Sequence, residues 1–132
     1  MKSIIIVLLF LLAVECFASE FSCPTKQVKT KQSIVQQSSG WKVFQDPNDI
    51  HILKSVDFYD GTPKKMIQLA PDNADSGQDP VWSFGQKHEI WQVCRYTNTK
   101  VSLTKKLSPG LKSCAVKYSK SVSPQIDSID CK

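Results

Sequence analysis

Glu89-Ile90-Trp91-Gln92-Val93-Cys94-Arg95-Tyr96 is the stretch that decides how this 132-residue chain folds. Ile90 and Cys94 fall on one alternating face and Trp91 and Val93 on the other, so the segment reads as a central strand covered on both sides. Thr97-Asn98-Thr99 returns it into Val101-Ser102-Leu103-Thr104, and beyond Ser108-Pro109-Gly110 a third strand alternates Cys114, Val116 and Tyr118. Upstream, Ile50-His51-Ile52-Leu53-Lys54-Ser55-Val56-Asp57-Phe58-Tyr59 places Ile50, Ile52, Val56 and Phe58 on one face. Asp60-Gly61-Thr62-Pro63 then turns that strand into Lys64-Lys65-Met66-Ile67-Gln68-Leu69, an expected hairpin. Residues 71–80 are a polar loop bounded by prolines, after which Val81-Trp82-Ser83-Phe84 resumes an extended pattern. Residues 26–35 and 41–44 read as an edge strand, a short helix or both. No long helical period and no internal repeat occur, so the fold class is mainly β: a small antiparallel sheet or sandwich-like domain.

The chain begins Met1-Lys2-Ser3 and continues as the apolar run Ile4-Ile5-Ile6-Val7-Leu8-Leu9-Phe10-Leu11-Leu12-Ala13-Val14, a basic start followed by a stretch too short to span a bilayer comfortably. It reads as an export signal cleaved after Ala18, with Ala18 and Cys16 at the small-residue positions of the site. Glu15 argues against acylation of Cys16. Residues 19–132 then form a single disulfide-tied β-rich domain with no transmembrane anchor. They hold Cys23, Cys94, Cys114 and Cys131, an even set in an exported chain, which predicts two disulfides. No C-x-x-C pair is present and His51 and His88 are isolated from the cysteines, so no metal is expected. Three pairings are open. A meander of the strands around residues 90–96, 100–107 and 113–118 would hold Cys94 and Cys114 two strands apart, which favours Cys23–Cys94 with Cys114–Cys131.

The net charge is +5, and Arg95 is the one arginine after the leader, so the planar fork that reads phosphates and guanine edges is nearly absent. Nucleic acid is not an expected partner. Seven acids and three lysines lie between Asp46 and Asp79, whereas residues 90–126 carry seven basic residues and no acid. A basic face could meet an acidic protein or an anionic envelope polymer or membrane; its plainer role is to keep strand edges solvated. Asp72, Asp75 and Asp79 miss the calcium-loop spacing, with Ala74 and Ser76 at positions that need oxygen ligands. No Gly-x-Ser-x-Gly elbow occurs, and His88-Glu89 lacks a second histidine where Gln92 stands. No catalytic residue and no cofactor are expected.

Trp41, Trp82 and Trp91 are many tryptophans for a domain this size, and most should be core. An exposed one becomes the leading binding anchor. Trp82, beside the polar loop, is the first candidate, whereas Trp91 shares its face with Val93 and reads as core. The candidate partner-binding set is Trp82 with Asp75 and Asp79, suited to a basic partner, and Lys105 with Lys106, suited to an acidic one.

Cys23-Pro24, Gly40-Trp41, Tyr59-Asp60-Gly61-Thr62-Pro63, Leu69-Ala70-Pro71, Trp82, Leu103-Thr104-Lys105-Lys106-Leu107 and Cys114-Ala115-Val116 recur around the block Trp91-Gln92-Val93-Cys94-Arg95-Tyr96-Thr97-Asn98-Thr99. In these residues the chain resembles a family of small exported enterobacterial proteins of uncharacterised function, some of whose members lie near type VI secretion clusters. The resemblance implies a Gram-negative periplasmic location and an inhibitor or immunity role, neutralising an envelope-delivered antibacterial effector by occlusion. The competing expectation is a non-catalytic module that sits on anionic envelope polymer or membrane through its lysines.

Overall fold

The computed structural model describes residues 20–36, 38–85 and 89–132; the expected leader over residues 1–18 and His88 lie outside the described residues. Seven strands form two antiparallel sheets. The first has the order β1 (Gln27–Lys29), β2 (Ile50–Asp60), β4 (Ile90–Tyr96), β5 (Ser102–Lys106), and the second the order β3 (Val81–Ser83), β6 (Ser113–Tyr118), β7 (Ile126–Cys131). β4 is paired on both sides, to β2 and to β5, and five of its seven residues are buried, as its two-faced apolar pattern predicts. Asn98 takes the turn into β5 with φ 53°, a left-handed conformation that asparagine tolerates.

Both sheets contribute to one apolar cluster. Val56, Phe58, Ile90, Cys94 and Tyr96 come from the first, and Trp82, Cys114, Val116 and Ile129 from the second. Phe58, 0% exposed, meets Trp82 edge-on with ring centroids 4.9 Å apart and Phe84 at 5.5 Å. Trp82 is 3% exposed and its indole Nε1 donates to the Leu69 carbonyl at 3.1 Å. The expectation of an exposed anchor at Trp82 is therefore corrected: its strand is short, but the residue alternates inward between exposed Val81 and Ser83.

Three local expectations also change. Ile50 and Ile52 point outward, 49% and 55% exposed, while Val56 and Phe58 point inward. The cause is a bulge: Leu53 opposes Tyr96 and Ser55 opposes Arg95, so Lys54 is the extra residue and the inward face switches across it. The hairpin expected after Tyr59 is cut down to two backbone hydrogen bonds, Asp60 N–H to the Ile67 carbonyl at 3.0 Å and Leu69 N–H to the Phe58 carbonyl at 2.9 Å, with no strand over residues 64–69. Residues Pro63–Lys65 form a 3₁₀ turn, and Gln68 meets Tyr59 by an isolated bridge, while the true partners of β2 are β1 and β4. Residues 27–29 resolve the open segment as an edge strand, and no α-helix occurs among the described residues.

The disulfides join Cys23 to Cys94 and Cys114 to Cys131, with Cα atoms 6.0 Å and 4.1 Å apart. This is the favoured pairing, reached by a different geometry. β6 belongs to the second sheet rather than to a meander with β4 and β5, and Cys114 faces Cys131 directly across β6 and β7. Cys23 arrives on an N-terminal strap laid over β4 and β5. Gln92 Nε2 donates to the Phe21 carbonyl at 2.7 Å, the Tyr96 hydroxyl to Thr25 at 3.0 Å and Lys105 Nζ to Glu20 at 3.1 Å.

Candidate functional site

The connection between β1 and β2, residues 30–49, equals that between β2 and β3, residues 61–80, as the longest between consecutive strands, and it differs from it in composition. Its apolar residues follow neither the strand nor the helix period, and serines and glutamines separate them. They find no cover: Val35 is 100% exposed, Phe44 86% and Trp41 83%, with Ile34 and Val43 above half. The chain reverses at Trp41, whose N–H donates to the Ser38 carbonyl at 3.2 Å, and Gly40 supplies the positive φ of 83° that this turn needs.

The two ends of this loop are clamped. Thr30 N–H donates to the Asp49 carbonyl at 3.2 Å, and the Thr30 hydroxyl donates to Asp49 Oδ2 at 2.8 Å. His51, 3% exposed, anchors the pair from beneath. Its Nδ1 donates to the Thr97 carbonyl at 2.7 Å, while Nε2 lies 2.9 Å from Thr30 Oγ1 and 3.0 Å from Asp49 Oδ1. The Thr30 hydroxyl bond, with help from His51, holds the Asp49 carboxyl below the usual carboxylate range. Gln45 Nε2 closes the neck from the other side by donating to the Thr30 carbonyl at 3.3 Å. Beside the neck an open depression of about 740 Å³ is lined by Lys31, Lys54 and Lys100 with Tyr96 and Val101, and no carboxylate lines it.

The residues singled out from sequence are scattered. Trp82 is core. Asp75 and Asp79 lie exposed in the 71–80 loop at the second sheet, and Asp79 Oδ1 accepts the Tyr118 N–H at 3.2 Å. Lys105 and Lys106 point to opposite sides of edge strand β5, the first to the Glu20 carbonyl and the second to Glu89 Oε2 at 3.4 Å. They do not form one site with the acidic loop.

The outer face of the first sheet carries a second polar arrangement that spacing alone hid. Asp57, Tyr59, Trp91 and Arg95 share that face. Arg95 donates to the Asp57 carboxylate and to the Tyr59 hydroxyl, and its guanidinium stacks 5.8 Å from the Tyr59 ring centroid. Burial works against the Arg95 charge, but the Asp57 bond and charge outweigh it and the pKa rises. Trp91 Nε1 donates to Glu89 Oε1 at 2.8 Å, which with Lys106 lowers the Glu89 pKa. The charges on this face are paired with one another.

Sequence reasoning left the β1–β2 loop undecided between strand and helix and so missed it as a surface. The available signal was aperiodic apolar residues set among serines and glutamines. Comparison with curated proteins and with solved structures finds no match. Residues 45–132, which span β2 to β7 and therefore both sheets, match the family described as type VI secretion system Tli immunity protein. With two thirds of the chain and nearly the whole two-sheet framework covered by that match, the chain belongs to the type VI secretion system Tli immunity protein family.

Proposed function

We propose that this chain acts in the periplasm as a non-catalytic protein that occludes its effector by direct binding, after its leader is cleaved behind Ala18. As a member of its family it is an immunity protein that neutralises an antibacterial effector, and the family match over both sheets is the observation that carries the reading. Two disulfides suit an oxidising compartment. No described helix is long and apolar enough to cross a membrane. Occlusion needs a rigid body and an apolar surface that a partner can cover, which the disulfide-tied sheets and the β1–β2 loop supply. The rival reading, a lysine face on anionic polymer, has less free charge than the sequence suggests, because Arg95 is paired with Asp57 and Lys106 with Glu89.

The test is survival of prey cells confronted with an isogenic strain whose type VI secretion system is active, the prey differing only in the form of this chain they produce. The full chain restores survival, and a version lacking residues 2–18 does not. Equal survival with both versions refutes the periplasmic site of action, and no protection by the full chain refutes immunity.

A further inference from the structure

We infer that the β1–β2 loop is the element that enters the effector, with Trp41 and Phe44 seated in an apolar cleft of that protein and Lys31, Lys54 and Lys100 meeting carboxylates at the cleft rim. The inference rests on the immunity reading and names the surface and the partner chemistry that serve it.

Five large apolar side chains, three of them more than four-fifths exposed, stand together on one loop. A soluble surface does not hold so much uncovered apolar area without something to cover it. Tryptophan and phenylalanine give the largest burial for the fewest rotors, the usual anchor of a protein interface. The clamp formed by Thr30, Asp49, Gln45 and His51 holds the base of the loop in place before any partner arrives, which lowers the ordering cost of binding.

Charge complementarity identifies the partner. The depression beside the neck presents three lysines and no carboxylate, and Lys42 lies between Trp41 and Val43 on the loop itself. An acidic rim around an apolar cleft is the matching surface. A second copy of this chain does not fit, because a two-fold contact would set these lysines against themselves. A membrane is the poorer match. Gln32, Ser33, Gln36, Ser38 and Ser39 interrupt the apolar residues, and their polar groups find partners on a protein but not in lipid. The family match begins at Gln45, so the apolar residues of the loop precede it; recognition of one particular effector would then be carried by a loop attached to a framework the family shares.

The experiment uses full-length chain in the same prey-survival assay. Three variants are compared with the unaltered protein: Trp41→Ala with Phe44→Ala; Lys31→Glu with Lys54→Glu and Lys100→Glu; and Met66→Ala, an equally exposed apolar residue on another segment, 78% exposed. Thermal unfolding of each purified protein shows that all three fold, since every altered side chain is exposed. The unaltered chain and Met66→Ala protect fully, whereas the loop and lysine variants each lose at least about tenfold in survival. Full protection by the loop variant overturns the inference and leaves immunity standing; no protection by the unaltered chain overturns immunity itself. Purified protein is also sedimented alone and with vesicles of phosphatidylethanolamine and phosphatidylglycerol. Co-sedimentation, or dimer formation, that is abolished by the Trp41→Ala, Phe44→Ala variant assigns the loop to lipid or to a second copy and overturns the inference. Monomeric protein that ignores the vesicles supports it.

Discussion

Removing the two disulfides one at a time, as Cys23→Ala with Cys94→Ala and as Cys114→Ala with Cys131→Ala, separates the bond that closes the fold from the bond that only staples a hairpin. The first joins residues 71 apart and the second residues 17 apart. Loop-closure entropy grows with the logarithm of that separation, which gives about 4.4 kcal/mol for the long loop and about 3.1 kcal/mol for the short one. Each pair has one deeply buried partner, Cys94 at 4% and Cys114 at 1% exposure, so the packing lost on truncation is similar and largely cancels in the comparison. Without Cys23–Cys94 the N-terminal strap keeps its hydrogen bonds to Gln92, Tyr96 and Lys105 and the packing of Phe21 against the core, but no covalent tie. Without Cys114–Cys131, β6 and β7 remain paired along their length. Equilibrium urea unfolding of the oxidised proteins reads the two losses directly. Loss of the long-range bond should cost more by about 1.3 kcal/mol, close to a tenfold change in the folding equilibrium constant. A larger cost for the Cys114–Cys131 pair refutes the loop-entropy reasoning and places the stability in the second sheet instead.

Two further outcomes follow from the core. Trp82→Ala removes the edge contact to Phe58 and the bond to Leu69 and should cost about 3–5 kcal/mol in the same urea assay, whereas a cost below about 1 kcal/mol contradicts its place in the core. Burial raises the pKa of Tyr118, and of Tyr96, above the ordinary phenol value of 10.0. The unfolded chain then loses these protons first, so their stabilising contribution is complete below pH 10.0 and is lost as pH rises through the higher folded values. Tyr118→Phe should flatten the alkaline side of the stability profile, and an unchanged alkaline slope would show that this phenol does not govern it.

The strands around residues 90–96 and 113–118 were legible because alternation is a local property: a side chain two residues on returns to the same face whatever lies opposite. The turn at Asn98 was legible for the same reason, since its conformational tolerance belongs to the residue itself. The surface was less legible. The inward face of β2 depended on one inserted residue, Lys54, whose effect exists only relative to β4. The bond from Lys105 to the Glu20 carbonyl depended on a strap that arrives from the far end of the chain, and the pairing of Lys106 with Glu89 on the register of β4 against β5.

The amino-acid sequence by itself determined that this is a β-rich chain whose Cys23, Cys94, Cys114 and Cys131 form two disulfides, because periodicity and composition are written into neighbouring residues. Tertiary structure alone decided that Trp82 is sealed against Phe58 while Trp41 and Phe44 stand in solvent. All three are large aromatic residues beside polar segments, and burial is settled by which surfaces meet when two sheets close. The inward position of Trp82 on β3 brings it between those sheets. The clamp at Thr30, Asp49 and His51 ties together the two ends of the β1–β2 loop, and the loop's apolar side chains stay in solvent.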